Sequence, residues 1–145
     1  MRKNIKTICA FGSFDILHPG HIAYVKQAAA LASRVVAVVT PDDAFLKYKG
    51  KKPLFDQSER LQIVAELRTV DDAVLGDADG SWNIIRQLAP ALILLGYDQA
   101  NAKKSLLASQ AYRDCGSPKI LVARAFRKKK YQSSVLKSNI IHMKS

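Results

Sequence analysis

Residues Val35-Val36-Ala37-Val38-Val39 form an unbroken apolar run, without the alternation expected of a strand wetted on one face. A parallel strand covered by helices on both sides requires such a run. Ala91-Leu92-Ile93-Leu94-Leu95, broken by Gly96, is another. Shorter strands are predicted at about Thr7–Phe11, Ala73–Leu75 and Lys119–Ala123. Helical segments fall between them. One begins at Gly20 and runs to about Ala32, and a short one is expected over Asp42–Tyr48. Asp56-Gln57-Ser58-Glu59 has the form of a capping box opening a helix that carries Leu61, Val64, Ala65 and Leu67 on its apolar face. Trp82–Leu88, ended by Pro90, Lys103–Cys115, with Gly116 beyond its end, and Ser134–Met143 complete the set. Strands separated by helices imply an open parallel sheet with right-handed crossovers. Ligands in such sheets bind beyond the carboxyl ends of the strands, where strand order reverses.

The 145 residues suggest one domain, residues 1–145, with a single core. No run is long enough to span a bilayer, and Met1-Arg2-Lys3-Asn4 leads into a first strand, not a signal peptide. Two cysteines, Cys9 and Cys115, are too few and too distant for a disulfide scaffold or a metal motif, so a reduced, cytoplasmic protein is expected. The formal charge of +11 favours a polyanionic partner. Its distribution is uneven: no Asp or Glu follows Asp114, whereas Lys119, Arg124, Arg127, Lys128, Lys129, Lys130, Lys137 and Lys144 do. Lys47, Lys49, Lys51 and Lys52 form a second cluster. Charge alone does not choose between a nucleoside triphosphate, a nucleic acid and a membrane surface.

Gly12-Ser13-Phe14-Asp15-Ile16-Leu17-His18-Pro19-Gly20-His21 narrows the choice. It joins the first strand to the first helix, where a glycine-bearing turn and a helix N-terminus together make a site for phosphate. His18 in the loop and His21 in the first helical turn place two imidazoles beside one bound anion. This segment resembles the HxGH motif of the cytidylyltransferase-like nucleotidyltransferases, which include glycerol-3-phosphate cytidylyltransferases, pantetheine-phosphate adenylyltransferases and archaeal FAD synthetases. Lys49-Gly50-Lys51-Lys52-Pro53 with Glu59-Arg60 resembles the family's lysine-rich loop and the arginine of its next helix. Leu95-Gly96-Tyr97-Asp98-Gln99 resembles its Gly-x-Asp motif, in wording nearest the archaeal FAD-synthetase branch. Gln132-Ser133-Ser134-Val135-Leu136-Lys137 resembles the Ser-(Thr/Ser)-Thr-x-Ile-(Arg/Lys) motif, with Gln132 in place of the first serine. Together these segments cover nearly the whole chain.

The resemblance implies a Rossmann-like α/β fold of about five strands with helices on both faces. It also implies transfer of a nucleoside monophosphate from CTP or ATP to a small phosphate- or phosphonate-bearing acceptor, with release of pyrophosphate. The compact size and the first motif lean to CTP, while Gly96-Tyr97-Asp98-Gln99 makes ATP:FMN adenylyl transfer the alternative. Such a reaction needs positioning and electrostatic stabilisation and no protein nucleophile. His18, His21, Lys49 and Lys51 are the expected catalytic residues. Gly12, Ser13, Phe14, Asp15, Gly20, Gly96, Asp98, Ser133 and Ser134 are expected to bind nucleotide, with Asp98 on the ribose. Arg60 and Lys137 are expected on acceptor or phosphate, although Arg60 has an equally good partner in a carboxylate of its own helix. Mg²⁺ is expected to arrive with the triphosphate, without a dedicated metal cage, and a homodimer is implied by resemblance alone. Trp82 is expected to pack, with a place in the acceptor pocket open to it. A non-catalytic nucleic-acid-binding module is the competing class, suggested by the basic C-terminal third but lacking interleaved stacking aromatics. A catalytically silent homologue that kept the nucleotide pocket is a third reading.

Overall fold

The computed structural model describes residues 6–127 and 136–139. Five strands form one all-parallel sheet: β1 (Thr7–Gly12), β2 (Arg34–Val39), β3 (Asp72–Leu75), β4 (Leu92–Leu95) and β5 (Lys119–Val122). Their order is β3-β2-β1-β4-β5. The chain therefore winds outward from β1 to β3, returns to β4 on the other side of β1, and winds outward again. The reversal between β1 and β4 opens a crevice at the carboxyl edge, between the loops that leave those two strands.

Period-two alternation within the apolar strands decides which helices cover which face. Cys9 and Phe11 of β1, Val36 and Val38 of β2, and Ile93 and Leu95 of β4 point to one side. There they meet α4 (Ile84–Leu88), α5 (Ala100–Ala108) and α6 (Gln110–Asp114) through Ile85, Leu106 and Ala111. Ile8 and Ala10, Val35, Ala37 and Val39, and Leu94 point to the other side. They meet α1 (Pro19–Leu31) through Val25 and Ala28, and α3 (Gln57–Ala65) through Val64. The expected parallel sheet with helices on both faces is thus the fold observed. Burial pushes the Cys9 thiol up to about 12, so this cysteine is an inert part of the core.

Most elements shift from the sequence expectation by a residue at an end, and three helical boundaries differ for a local reason. The helix expected from Trp82 begins at Ile84, because Trp82 has φ +65°, outside the helical region. The segment 103–115 is two helices, α5 beginning at Ala100 and α6 at Gln110. Ser109 between them is extended (φ −77°, ψ 145°), and its hydroxyl caps α6 by accepting from the Tyr112 amide at 3.2 Å. The expected helix over Asp42–Tyr48 runs one residue further, as α2 (Asp42–Lys49), to a left-handed Gly50. The capping box is formed: Asp56 accepts from the Glu59 amide at 2.9 Å and Glu59 from the Asp56 amide at 3.1 Å. Of the terminal helix, residues 136–139 are described and are helical.

Candidate active site

The β1–α1 loop is strained, and each residue of its first half is tied down. Phe14 and Ile16 both have left-handed backbones, φ 51° and 59°, a conformation costing about 1–3 kcal/mol in a non-glycine residue. Phe14 offsets this by burying its ring among Val25, Ala37, Val39 and Val64. The Ser13 carbonyl accepts from Arg60 Nη1 at 2.7 Å. The Asp15 carboxylate, 1 % exposed, accepts from the amides of Leu54 (2.9 Å) and Phe55 (3.1 Å) and pairs with Lys137. Burial would raise the Asp15 pKa, but the Lys137 ammonium and the two amides outweigh it and hold the carboxyl below its usual range.

The two histidines are held by one another's backbone. His18 is the N-cap of α1, and its Nδ1 accepts from the Gly20 amide at 3.0 Å. His21 Nδ1 accepts in return from the His18 amide at 3.2 Å. An imidazole accepting at Nδ1 and neutral overall carries its proton on Nε2. Burial lowers the pKa of His18 and takes that of His21 down to about 3, with the neighbouring His18 adding to the second shift. Both rings are therefore neutral Nε2–H donors at pH 7. Their centroids are 3.9 Å apart, and the Phe14 ring lies 5.5 Å from His21.

A cavity of about 640 Å³ opens at the carboxyl edge of the sheet, lined by Gly12, Ser13, Phe14, His18, Gly20 and His21 of the β1–α1 junction. On the β4/β5 side it is lined by Gly96, Tyr97, Asp98, Gln99 and Arg124. The Gly96 amide donates to Gln99 Oε1. A Cβ at Gly96 would stand 2.9 Å from Asp98 Oδ1, so glycine is what allows this carboxylate its place. Gln27 of α1 fixes Arg124 through its backbone, accepting from the amide at 2.9 Å and donating to the carbonyl at 3.1 Å. On the β2/β3 side the wall is Phe45, Tyr48, Lys49, Asp77, Gly80 and Trp82.

The fold thus brings most of the expected residues to one cavity, with informative exceptions. Lys49 lines it, with Nζ 6.0 Å from the Phe45 ring centroid, whereas Lys51 is exposed and lies outside the lining. Asp15 stands behind the loop, not in the cavity. Arg60 is fully buried and turns into the protein: Nε donates to the Phe55 carbonyl (2.9 Å), Nη1 to Ser13 and Nη2 to Asp42 Oδ1 (2.8 Å). Its expected place on the acceptor is corrected to one that clamps the motif loop. Its carboxylate partner is Asp42 of α2, not a residue of its own helix. Lys137 pairs with Asp15 and lies 5.7 Å from the Phe45 ring centroid. Ser133 and Ser134 lie outside the described residues.

Tyr24 was not singled out from the sequence. Its hydroxyl sits 2.7 Å from the Phe11 carbonyl and 2.8 Å from the Leu94 carbonyl, spanning the ends of β1 and β4 under the crevice. Its spacing of three from His21 puts it on the same face of α1, which is the one sequence signal that marks it. Phe45, Tyr48 and Asp77 were missed because nothing in their local sequence distinguishes a cavity wall from a surface. Trp82 packs as expected, its ring meeting Phe11 edge-on at 5.1 Å and its Nε1 donating to Ser105 Oγ at 2.9 Å, and it also lines the cavity. Among the described residues, no group of three or more His, Cys, Asp or Glu side chains converges as a metal site would require. No helix among them is long and apolar enough to cross a membrane.

An open parallel sheet with a His-Pro-Gly-His helix start at its switch point is the architecture of a nucleotide-handling domain, and the comparisons agree. The profile of the cytidylyltransferase-like family matches residues 9–143, and the chain belongs to that family. Among curated relatives it is 42% identical over 92 residues to the FAD synthase of Thermoplasma acidophilum, covering 63% of this chain and 64% of that protein. It is 34% identical over 134 residues to the FAD synthase of Picrophilus torridus, covering 92% and 91% respectively. The chain thus spans just under two thirds of the Thermoplasma relative and nearly all of the Picrophilus one. A crystal structure of the lipopolysaccharide core biosynthesis protein from Thermoplasma volcanium superposes with a TM-score of 0.75 at 34% identity, covering 85% of this chain and 99% of that one.

Proposed function

We propose that the chain is a nucleotidyltransferase that joins AMP from ATP to FMN, releasing pyrophosphate. The observation that carries the transfer chemistry is the histidine pair, held as two neutral Nε2–H donors in the lining of a cavity of about 640 Å³. The choice of ATP and FMN rests on relatives named FAD synthase and on Gly96-Tyr97-Asp98-Gln99, and it favours the adenylyl alternative over the CTP reading. The aromatic β2/β3 wall supports a flat acceptor on that side, which leaves the β4/β5 side for the nucleotide.

In this reading an oxygen of the FMN phosphate attacks the α-phosphorus of ATP. The new P–O bond forms as the bond to the β-phosphate oxygen breaks, and pyrophosphate departs with those electrons. Negative charge spreads over the α-phosphate oxygens and the leaving group. The imidazole donors of His18 and His21 stabilise it from fixed positions, with no reorganisation at the moment of reaction. Lys49 reaches the phosphates from the cavity wall, and Asp98 takes the ribose hydroxyls. Magnesium enters as part of the substrate, held by phosphate oxygens and water. A homodimer and a cytoplasmic location belong to the same reading.

The test is pyrophosphate release and FAD formation from ATP and FMN, with CTP and with glycerol phosphate, phosphocholine and sugar phosphates as comparison arms. FAD formation abolished in His18→Ala is the expected result. Release that needs CTP and a non-flavin acceptor would replace the adenylyl reading with the cytidylyl one. Failure to bind either nucleotide would remove the transferase reading itself.

A further inference from the structure

One wall of the cavity has a construction that transfer chemistry alone does not require. Tyr48, in the last turn of α2, is 56 % exposed yet lines the cavity. Its hydroxyl occupies the space over Gly80: a Cβ there would stand 2.6 Å from the phenol oxygen and 3.5 Å from Cζ. Gly80 is left-handed (φ +73°) in a turn closed by its amide donating to the Asp77 carbonyl at 3.1 Å. The α2 segment leaving β2 and the 76–83 loop leaving β3 therefore meet at this contact, phenol on bare backbone. Both residues line the β2/β3 side of the cavity. An aromatic ring left half in water at a cavity rim has much apolar area still to cover.

We propose that Tyr48, seated on Gly80, is a specificity-determining residue that covers a planar heteroaromatic ring of the acceptor. The inference rests on the reading of the β2/β3 half as the acceptor side. A tyrosine offers a flat, rigid face with two rotatable side-chain angles, so ordering it over a ring costs little. Stacking of a heteroaromatic ring on an aromatic side chain contributes about 1–3 kcal/mol, roughly a 5- to 150-fold change in affinity. A polyhydroxylated acceptor would instead need hydrogen-bonding groups at this position. The carboxylate that lines the cavity on this side, Asp77, already uses Oδ2 to accept from the Ile84 amide at 2.7 Å. Gly80 has a matching part: any side chain there displaces the phenol from its seat.

The test uses the full chain and reads the quenching of flavin fluorescence, with FMN and with riboflavin, which carries the ring without the phosphate. Tyr48→Ala is expected to weaken both by about tenfold or more, and Tyr48→Phe to recover most of that loss because the stacking face is retained. Gly80→Ala is expected to weaken flavin binding as well, with its melting temperature followed to separate backbone strain from the loss of the seat. ATP affinity should stay within about twofold of the parent in Tyr48→Ala, a result that general unfolding would not give. Turnover of ATP and FMN with flavin binding unchanged in Tyr48→Ala would overturn this inference and leave the adenylyl reading standing. Absence of FAD formation by the parent would overturn that reading instead. Riboflavin binding lost in Tyr48→Ala would then still uphold the aromatic cover, and parent protein that binds no riboflavin would overturn it.

Discussion

Replacing Arg60 with methionine tests whether this guanidinium holds the motif loop or serves the acceptor. The side chain is fully buried, and the substitution removes three donors. The Ser13 and Phe55 carbonyls lose partners at 2.7 and 2.9 Å, each an unsatisfied group costing about 1–3 kcal/mol. Asp42 loses its ion pair at 2.8 Å, but its side chain is 36 % exposed and takes up water, so it adds little. Against these losses stands the relief of burying a charge, while methionine refills much of the stem volume. The two unsatisfied carbonyls dominate, and the balance is a destabilisation of about 2–5 kcal/mol. With a urea slope of about 2 kcal/mol/M, the unfolding midpoint falls by roughly 2 M. Arg60→Lys keeps the charge but cannot reach three partners in three directions, and should recover less than half of the loss. A midpoint within about 0.5 M of the parent, with a KM for the acceptor raised tenfold, would refute the clamp and return Arg60 to the acceptor.

Tyr24→Phe leaves the Phe11 and Leu94 carbonyls without the hydroxyl that spans them and should cost about 1–3 kcal/mol in urea unfolding. A loss under 0.5 kcal/mol would mean that water replaces it at about equal strength. Gly96→Ala drives a Cβ to 2.9 Å from Asp98 Oδ1 and should lower kcat/KM for ATP by about 10- to 100-fold through misplacement of that carboxylate. Circular dichroism should remain that of the parent; an unchanged kcat/KM would detach Asp98 from the nucleotide. The His21 pKa is depressed in the folded state, so the unfolded chain binds its proton first as pH falls. Stability attributable to neutral His21 is therefore intact above about pH 6.5 and is lost toward pH 3, by up to about 1.4 kcal/mol per pH unit. Urea unfolding of the parent and His21→Gln at pH 7 and pH 4.5 measures the difference, and parallel losses in the two would contradict the shift.

The sheet was legible because its signals are local. Val35–Val39 and Ala91–Leu95 are continuous in sequence, and their period-two faces fix which helices they meet. The ten-residue motif was legible for the same reason: its capping reciprocity between His18 and His21 spans four residues. Three kinds of feature escaped. The break at Ser109 hides inside a run of good helix formers, where a serine is as often a surface residue as a cap. The left-handed backbone at Trp82 follows from Gly80 and Asp77 before it and from packing on Phe11, not from tryptophan's own preference. The pairings of Arg60 with Asp42 and of Tyr48 with Gly80 join residues from different segments that meet only once the sheet has formed. Lys51 and Arg60 were assigned by position within a motif, and burial separated them: one stands in solvent, the other in the core.

These long-range pairings converge on the strained loop, and that convergence explains why residues outside the cavity belong to the site. Two left-handed non-glycine residues within three positions are an expensive way to leave a strand, and Ile16 is β-branched besides. The turn persists because Ser13, Phe14 and Asp15 are each fixed by a different element: Arg60 of α3, the core beneath α1, and the amides of Leu54 and Phe55. What the strain secures is the placement of His18 as an N-cap, with its ring turned so that Nδ1 faces the helix. A relaxed turn would leave the imidazoles free to choose tautomer and rotamer, and a donor that must first reorient contributes less to a transition state than one already aimed. In the proposed reaction Asp15 and Arg60 would thus act on the chemistry without touching it, by making the backbone conformation that aims the histidines the one of lowest energy.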